Sequence, residues 1–122
     1  WPTFLEQVYG DMDDFQMYSL GWSADYPDPH NFLDLMFHSE SMENVSRYLN
    51  STVDTLLEAA REEIDPARRL RMYAQVESIV VNQAPIIPFW FSVDHLLVKP
   101  NIRGLRMPPS TQEWMSSVWI AE

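Results

Sequence analysis

No cysteine occurs in the 122 residues, so neither a disulfide framework nor a thiolate metal site can form, and stability must come from packing. Basic residues are scarce too. Eight Lys plus Arg against eighteen Asp plus Glu leave a formal charge of −10, which repels phosphate backbones and anionic lipid headgroups and argues against a nucleic-acid partner. Glycine is down to three residues, and none of them builds a phosphate-cradling loop. No serine sits in a nucleophile elbow, and a thiol nucleophile is ruled out. The longest apolar run, Ala84 to Ser92, is far shorter than the roughly 20 residues of a membrane helix and contains two prolines. Direct membrane insertion is therefore not expected. No signal-peptide pattern is expected in these residues, and the opening Trp1-Pro2-Thr3-Phe4 in place of Met predicts a processed or excised segment.

What is present suits one domain with a real core. A length of 122 residues is the common domain size, and five Trp, five Tyr and six Phe carry large area for burial. Residues 1–9 read as a helix with Gly10 as its C-terminal cap. The cluster Asp11 to Asp14 reads as a polar connection, and Phe15 to Leu20 alternates like a half-buried strand. Asn31 to Phe37 forms a short apolar helical turn. Ser51 or Thr52 is placed to cap a helix with the stripe Val53, Leu56, Leu57, Ala60 and Ile64. Asp65-Pro66 starts a second helix with the stripe Leu70, Tyr73, Val76, Ile79 and Val80, and the two make a helical hairpin. Residues 84–91 and 96–98 fit strands, and the Pro-rich stretch 99–122 reads as strand fragments and loop that ends on Trp114, Val118, Trp119 and Ile120. Alternating helices and strands predict a mixed α/β layer structure.

The stretch GWSADYPDPHNF, residues 21–32, concentrates the polar and aromatic side chains that chemistry would use. Asp25, Asp28 and His30 offer oxygen and nitrogen donors for a metal-dependent hydrolase, but their spacing matches no metal signature and no partnered nucleophile is visible. Asp28-Pro29 shapes a turn and is placed to cap the helix near Asn31, with Asp28 and Asn31 mainly structural. Asp25 lies between Trp22 and Tyr26, and a carboxylate beside aromatic walls wants a cation. An internal Arg or Lys and an external ammonium group both answer that need. His38 and His95 read as packing residues. Arg68, Arg69 and Arg71 read as a solvated basic face balancing Glu58, Glu62 and Glu63.

Several motifs follow one another in a telling order. They are Gly21-Trp22-x-x-Asp25-Tyr26-x-Asp28-Pro29-x-Asn31-Phe32, Asn44-Val45-x-Arg47-Tyr48-x-Asn50 and Val53-Asp54-x-Leu56-Leu57 with Ala60. Then come Asp65 with Arg69 and Tyr73, Gln75-Val76, Ala84-Pro85-x-Ile87-Pro88, Val98-Lys99-Pro100 and Ile102-x-Gly104. From about residue 4 to its end the chain resembles the C-terminal portion of the extracellular solute-binding protein family 5, the oligopeptide-, dipeptide- and nickel-binding proteins of ABC importers.

The resemblance implies an α/β chain that is part of the second lobe of a type II periplasmic-binding-protein fold, with a C-terminal return toward the first lobe. Residues 1–95 would belong to lobe II, and residues 96–122 to the hinge crossing and return. It also implies a non-enzymatic role in capturing peptides between two lobes. Asp25 would hold the peptide's amino terminus, with Trp22 and Tyr26 lining the pocket and Arg47 and Tyr48 as secondary candidates. An ion pair from Arg47 to Asp25 is the competing reading. Nickel chelate, heme, glutathione and sugar are alternative ligands within the family. No cofactor and no metal site are expected. The implied partner beyond the ligand is a membrane ABC permease, reached through the full-length protein. The implied location is periplasmic or extracellular, with a lipid anchor open for the full-length form. A chain of this length on its own is expected to expose apolar edges that invite self-association.

Overall fold

A computed structural model describes residues 1–10, 16–93, 95–106 and 115–121. Among the described residues four helices carry the fold: α1 (Pro2–Tyr9), α2 (His30–Phe37), α3 (Ser51–Glu62) and α4 (Pro66–Gln83). Two short strands, β1 (Ile102–Arg103) and β2 (Trp119–Ile120), pair antiparallel with Ile102 opposite Ile120, and a 3-10 turn (Met115–Ser117) precedes β2. The architecture is mixed, helical with little sheet, and compatible with the α/β expectation.

The helical hairpin forms as its local chemistry dictates. Asn50, one residue ahead of the expected Ser51, is the N-cap of α3, its side-chain oxygen accepting the backbone N–H groups of Thr52 and Val53. Asp65 caps α4 in the same way, and Pro66 fills the first position, where a missing N–H costs nothing. Against each other the two helices bury Val53, Leu57 and Ala60 from α3 with Tyr73, Val76 and Val80 from α4, and α2 closes the cluster with Phe37. Leu56 and Ile79 pack at its margin. Two stripe positions depart from expectation. Ile64 is 93% exposed because α3 ends at Glu62 and leaves it in the connection, and Leu70 is exposed on a face of α4 that no described element covers.

Strands β1 and β2 fall in the stretch 99–122 read as strand fragments and loop, whereas the strands expected at residues 15–20, 84–91 and 96–98 are not formed among the described residues. Asp11 to Asp14 and Phe15 lie outside those residues, and Gln16 to Leu20 is irregular, as are residues 84–91 and 96–98. Trp114 also lies outside the described residues. The physical reason is that strand structure requires a partner ladder, and no backbone–backbone hydrogen bond engages residues 86–98 among the described residues. Their side chains stay in solvent, with Phe91 99% and Leu97 100% exposed. The total accessible surface is 9708 Å², against about 6,800 Å² for a compact monomer of this mass. The β1–β2 pair depends on Gly104 at φ +77°, where a Cβ would come within 2.0 Å of the Ser117 carbonyl oxygen.

Truncation should separate the buried and exposed parts of the stripe. Leu57→Ala is expected to lower stability by about 2–5 kcal/mol, whereas Ile64→Ala should stay within about 0.5 kcal/mol of the parent. Urea titration followed by helical circular dichroism checks both, and equal losses would contradict the packing described.

Candidate functional site

The loop from Gly21 to Pro29 enters α2, and one buried side chain organises its turn. Asn31, on the first turn of α2, is fully buried. Its Oδ1 accepts the Trp22 indole N–H at 3.1 Å and the Asp25 backbone N–H at 3.2 Å, while its Nδ2 donates to Asp25 Oδ2 at 3.4 Å. Trp22, Asp25 and Asn31 are thus brought together. Tyr26 stands beside them, its hydroxyl 2.6 Å from His30 Nδ1 and its ring tilted against the imidazole. Trp22 is half-buried, whereas Asp25 and Tyr26 are exposed.

The other acids of this region are spoken for. Asp28 receives a two-pronged contact from Arg69, Nη1 to Oδ2 at 2.6 Å and Nη2 to Oδ1 at 2.8 Å, and its Oδ1 also accepts the His30 N–H. The Arg69 hydrogen bonds hold the Asp28 carboxyl below its ordinary pKa, against the opposing effect of partial burial. They also push the Arg69 guanidinium up. Arg69 donates further to the Ala60 carbonyl and the Tyr73 hydroxyl and lies 4.9 Å from the Tyr73 ring centre. Burial in turn raises the Tyr73 pKa, with Arg69 opposing. Asp34, buried on α2, takes a second fork from Arg61 of α3 at 2.8 and 2.7 Å.

Arg69 therefore does not sit on a solvated basic face, as the sequence suggested. Its planar fork matches a carboxylate 41 positions away, and only Arg68 pairs with a nearby glutamate, Glu63. Of the three side chains weighed as metal donors, Asp25, Asp28 and His30, two are engaged within the chain. Asp28 faces a guanidinium, His30 is turned to Tyr26 and Asp34, and no three such side chains among the described residues are placed to hold an ion.

Arg47 and Tyr48 occupy a different loop, built around Asn44. The Asn44 side chain bonds the Tyr48 N–H, the Tyr48 carbonyl and the His38 carbonyl, which supports Arg47 in a left-handed conformation at φ 52°. Arg47 reaches the Gly10 carbonyl and makes no ion pair with Asp25. The Tyr48 hydroxyl bonds Gln83, and its ring meets Phe37 edge-on at 6.1 Å. No hydrogen bond or ion pair among the described residues joins this pair to Asp25. His38 is buried, with Nδ1 accepting the Glu40 N–H, and His95 is exposed.

Asp25 thus stands apart. All eight Lys and Arg residues lie among the described residues, and none pairs with it. Sequence reasoning named Asp25 but missed both the Asn31 hub and the Asp34–Arg61 pair. A signal for the latter was present, since a lone aspartate inside Phe32-Leu33-Asp34-Leu35-Met36-Phe37 must find a partner or stay unburied.

No family model matches the chain. Curated relatives do. It is 24% identical over 120 residues to the oligopeptide-binding protein OppA of Bacillus subtilis, covering 98% of this chain and 22% of that protein. It is 31% identical over 104 residues to the periplasmic oligopeptide-binding protein OppA of Escherichia coli, covering 85% and 19%. It is also 37% identical over 91 residues to heme-binding protein A of Haemophilus influenzae, covering 73% and 17%. The chain spans about a fifth of the length of the curated relatives it matches.

The Asp28–Arg69 pair has a pH signature. A carboxyl with a lowered folded pKa contributes stability above its ordinary value of about 4 and loses it as pH falls through the folded value. Asp28→Asn is therefore expected to cost about 1–2 kcal/mol at pH 7 and to flatten the acid limb below about pH 4. Urea titrations at pH 7 and in acid test this, and an unchanged acid limb in the variant would contradict it.

Proposed function

Because the chain belongs to family 5 of the extracellular solute-binding proteins, we propose that it is part of the substrate-binding component of an ABC importer and that Asp25 takes the α-ammonium group of a peptide. The observation that carries this reading is the division of labour among the acids of one loop and helix. Asp28 and Asp34 are each neutralised by an arginine fork, while Asp25 is exposed, held in orientation and without a cation. An ammonium group about 4 Å away would gain roughly 1 kcal/mol in bulk water and about 4 kcal/mol at a protein surface. Trp22 and Tyr26 beside it supply the apolar walls that raise the local value. The main chain of an extended peptide would then pair with backbone groups, leaving its side chains in tolerant pockets.

On this reading residues 1–95 form part of lobe II, and residues 96–122 return toward lobe I. The stretch from Phe89 to Lys99 serves in the hinge crossing, where segments from the remainder of the protein supply the backbone partners not found among the described residues. Its two apolar runs, Phe89-Trp90-Phe91 and Leu96-Leu97-Val98, suit strand segments buried on both faces. The excess surface of the chain, and its share of about a fifth of the relatives' length, support the same view. Function is capture rather than catalysis, with a membrane permease as onward partner and the periplasm or extracellular face as location. No helix among the described residues is long and apolar enough to cross a membrane. Arg47 and Tyr48, on their separate loop, are assigned a secondary part in lining the cleft.

A heme reading draws on the relative that is 37% identical and named heme-binding protein A. Native mass spectrometry of the complete binding protein purified from its host separates the two, a co-purifying peptide or a porphyrin naming the ligand class. For the peptide reading, Asp25→Asn should weaken a peptide with a free amino terminus by about tenfold or more and scarcely affect its N-acetylated form. Equal losses for the two peptides would sink the anchoring role.

A further inference from the structure

We propose that Asn31 is a positioning residue for ligand capture, holding the Asp25 carboxylate in place without cancelling its charge. The assignment rests on the reading of Asp25 as an ammonium anchor. It starts from hydrogen-bond valence. A carboxamide oxygen can only accept and its NH2 can only donate, so the two N–H groups of Trp22 and Asp25 that converge on Asn31 settle which way the amide points. Its NH2 group is then directed at Asp25 Oδ2. The amide thereby ties the pocket's aromatic wall, the turn's backbone and the carboxylate into one rigid unit. Because Asn31 is fully buried on the first turn of α2, that unit has the rigidity of the helix rather than of the loop.

The choice of a neutral donor separates this carboxylate from its neighbours. Asp28 and Asp34 are held by guanidinium groups, which orient them and neutralise them at once. An amide orients and leaves the charge uncompensated. The Asn31–Asp25 contact at 3.4 Å is also long, and Asp25 Oδ1 makes no hydrogen bond among the described residues. One oxygen is steadied and the other stays open toward solvent.

The test uses the complete binding protein, tri-alanine with a free amino terminus and N-acetyl tri-alanine, with affinities from titration calorimetry. Asn31→Ala is expected to weaken the free-amine peptide by about five- to tenfold relative to the acetylated one, and to add less than about twofold when Asp25 is already Asn. A merely structural role would weaken both peptides alike and add in full to Asp25→Asn, which overturns the proposal. Should Asn31→Ala not fold, Asn31→Ser retains a small hydrogen-bonding side chain and is read by the same two criteria. If Asp25→Asn discriminates the peptides and the Asn31 variants do not, the positioning role alone falls. If the unaltered protein has no preference for the free amine, the anchor reading falls and the positioning role with it.

Discussion

A carboxylate on an apolar helix face can be buried only with a cation, and the Asp34–Arg61 fork is the contact through which the candidate site is held to the core. Asp34 lies one turn into α2, among residues that pack on the hairpin, and Arg61 brings its guanidinium from the last turn of α3. Removing Arg61 would leave the buried Asp34 charge unanswered, a far larger penalty than the net worth of the pair. The second fork, from Arg69 of α4 to Asp28, anchors the loop just ahead of α2. Together the two arginines bind α2 and its entry loop to both helices of the hairpin. The orientation of Trp22, Asp25 and Asn31 is a consequence of that attachment.

The site follows from a contrast in how three acids are satisfied. Two are oriented by cations and are electrically silent, and the third is oriented by an amide and keeps its charge. On a chain of net charge −10 an unpaired surface carboxylate is ordinary. A carboxylate contacted by a fully buried amide that also holds a neighbouring indole is not. The surrounding chemistry also explains the prolines of the loop. Pro27 and Pro29 restrict the backbone on either side of Asp28, whose carboxylate meets Arg69.

Several features were legible in the residues. The caps and stripes of α3 and α4 follow from interactions within four positions, and Asp65-Pro66 identified a helix start without reference to anything else. The displacement of the first cap from Ser51 to Asn50 is a one-residue matter, since both side chains offer an oxygen and the backbone turn decides between them. The strands were different. Residues 84–91 have the composition of a buried strand, yet composition supplies no ladder partner, and none is present among the described residues. Arg69 was misread because helical periodicity puts it on an outward face, while its long side chain reaches round to the Ala60 carbonyl and Asp28.

By itself, the sequence determined the helical hairpin, the exclusion of thiol chemistry, the ordered motifs of the family and the prominence of Asp25. These depend on local backbone propensity, on composition and on the succession of residue types. Tertiary structure alone decided which acid meets which arginine, across separations of 27 and 41 positions, and that the amide of Asn31 would be the hub. The reason is that ion pairing and burial depend on distance in space, which packing sets. Nothing in the spacing of Asp25, Asp28 and Asp34 distinguishes the one left charged from the two that are neutralised.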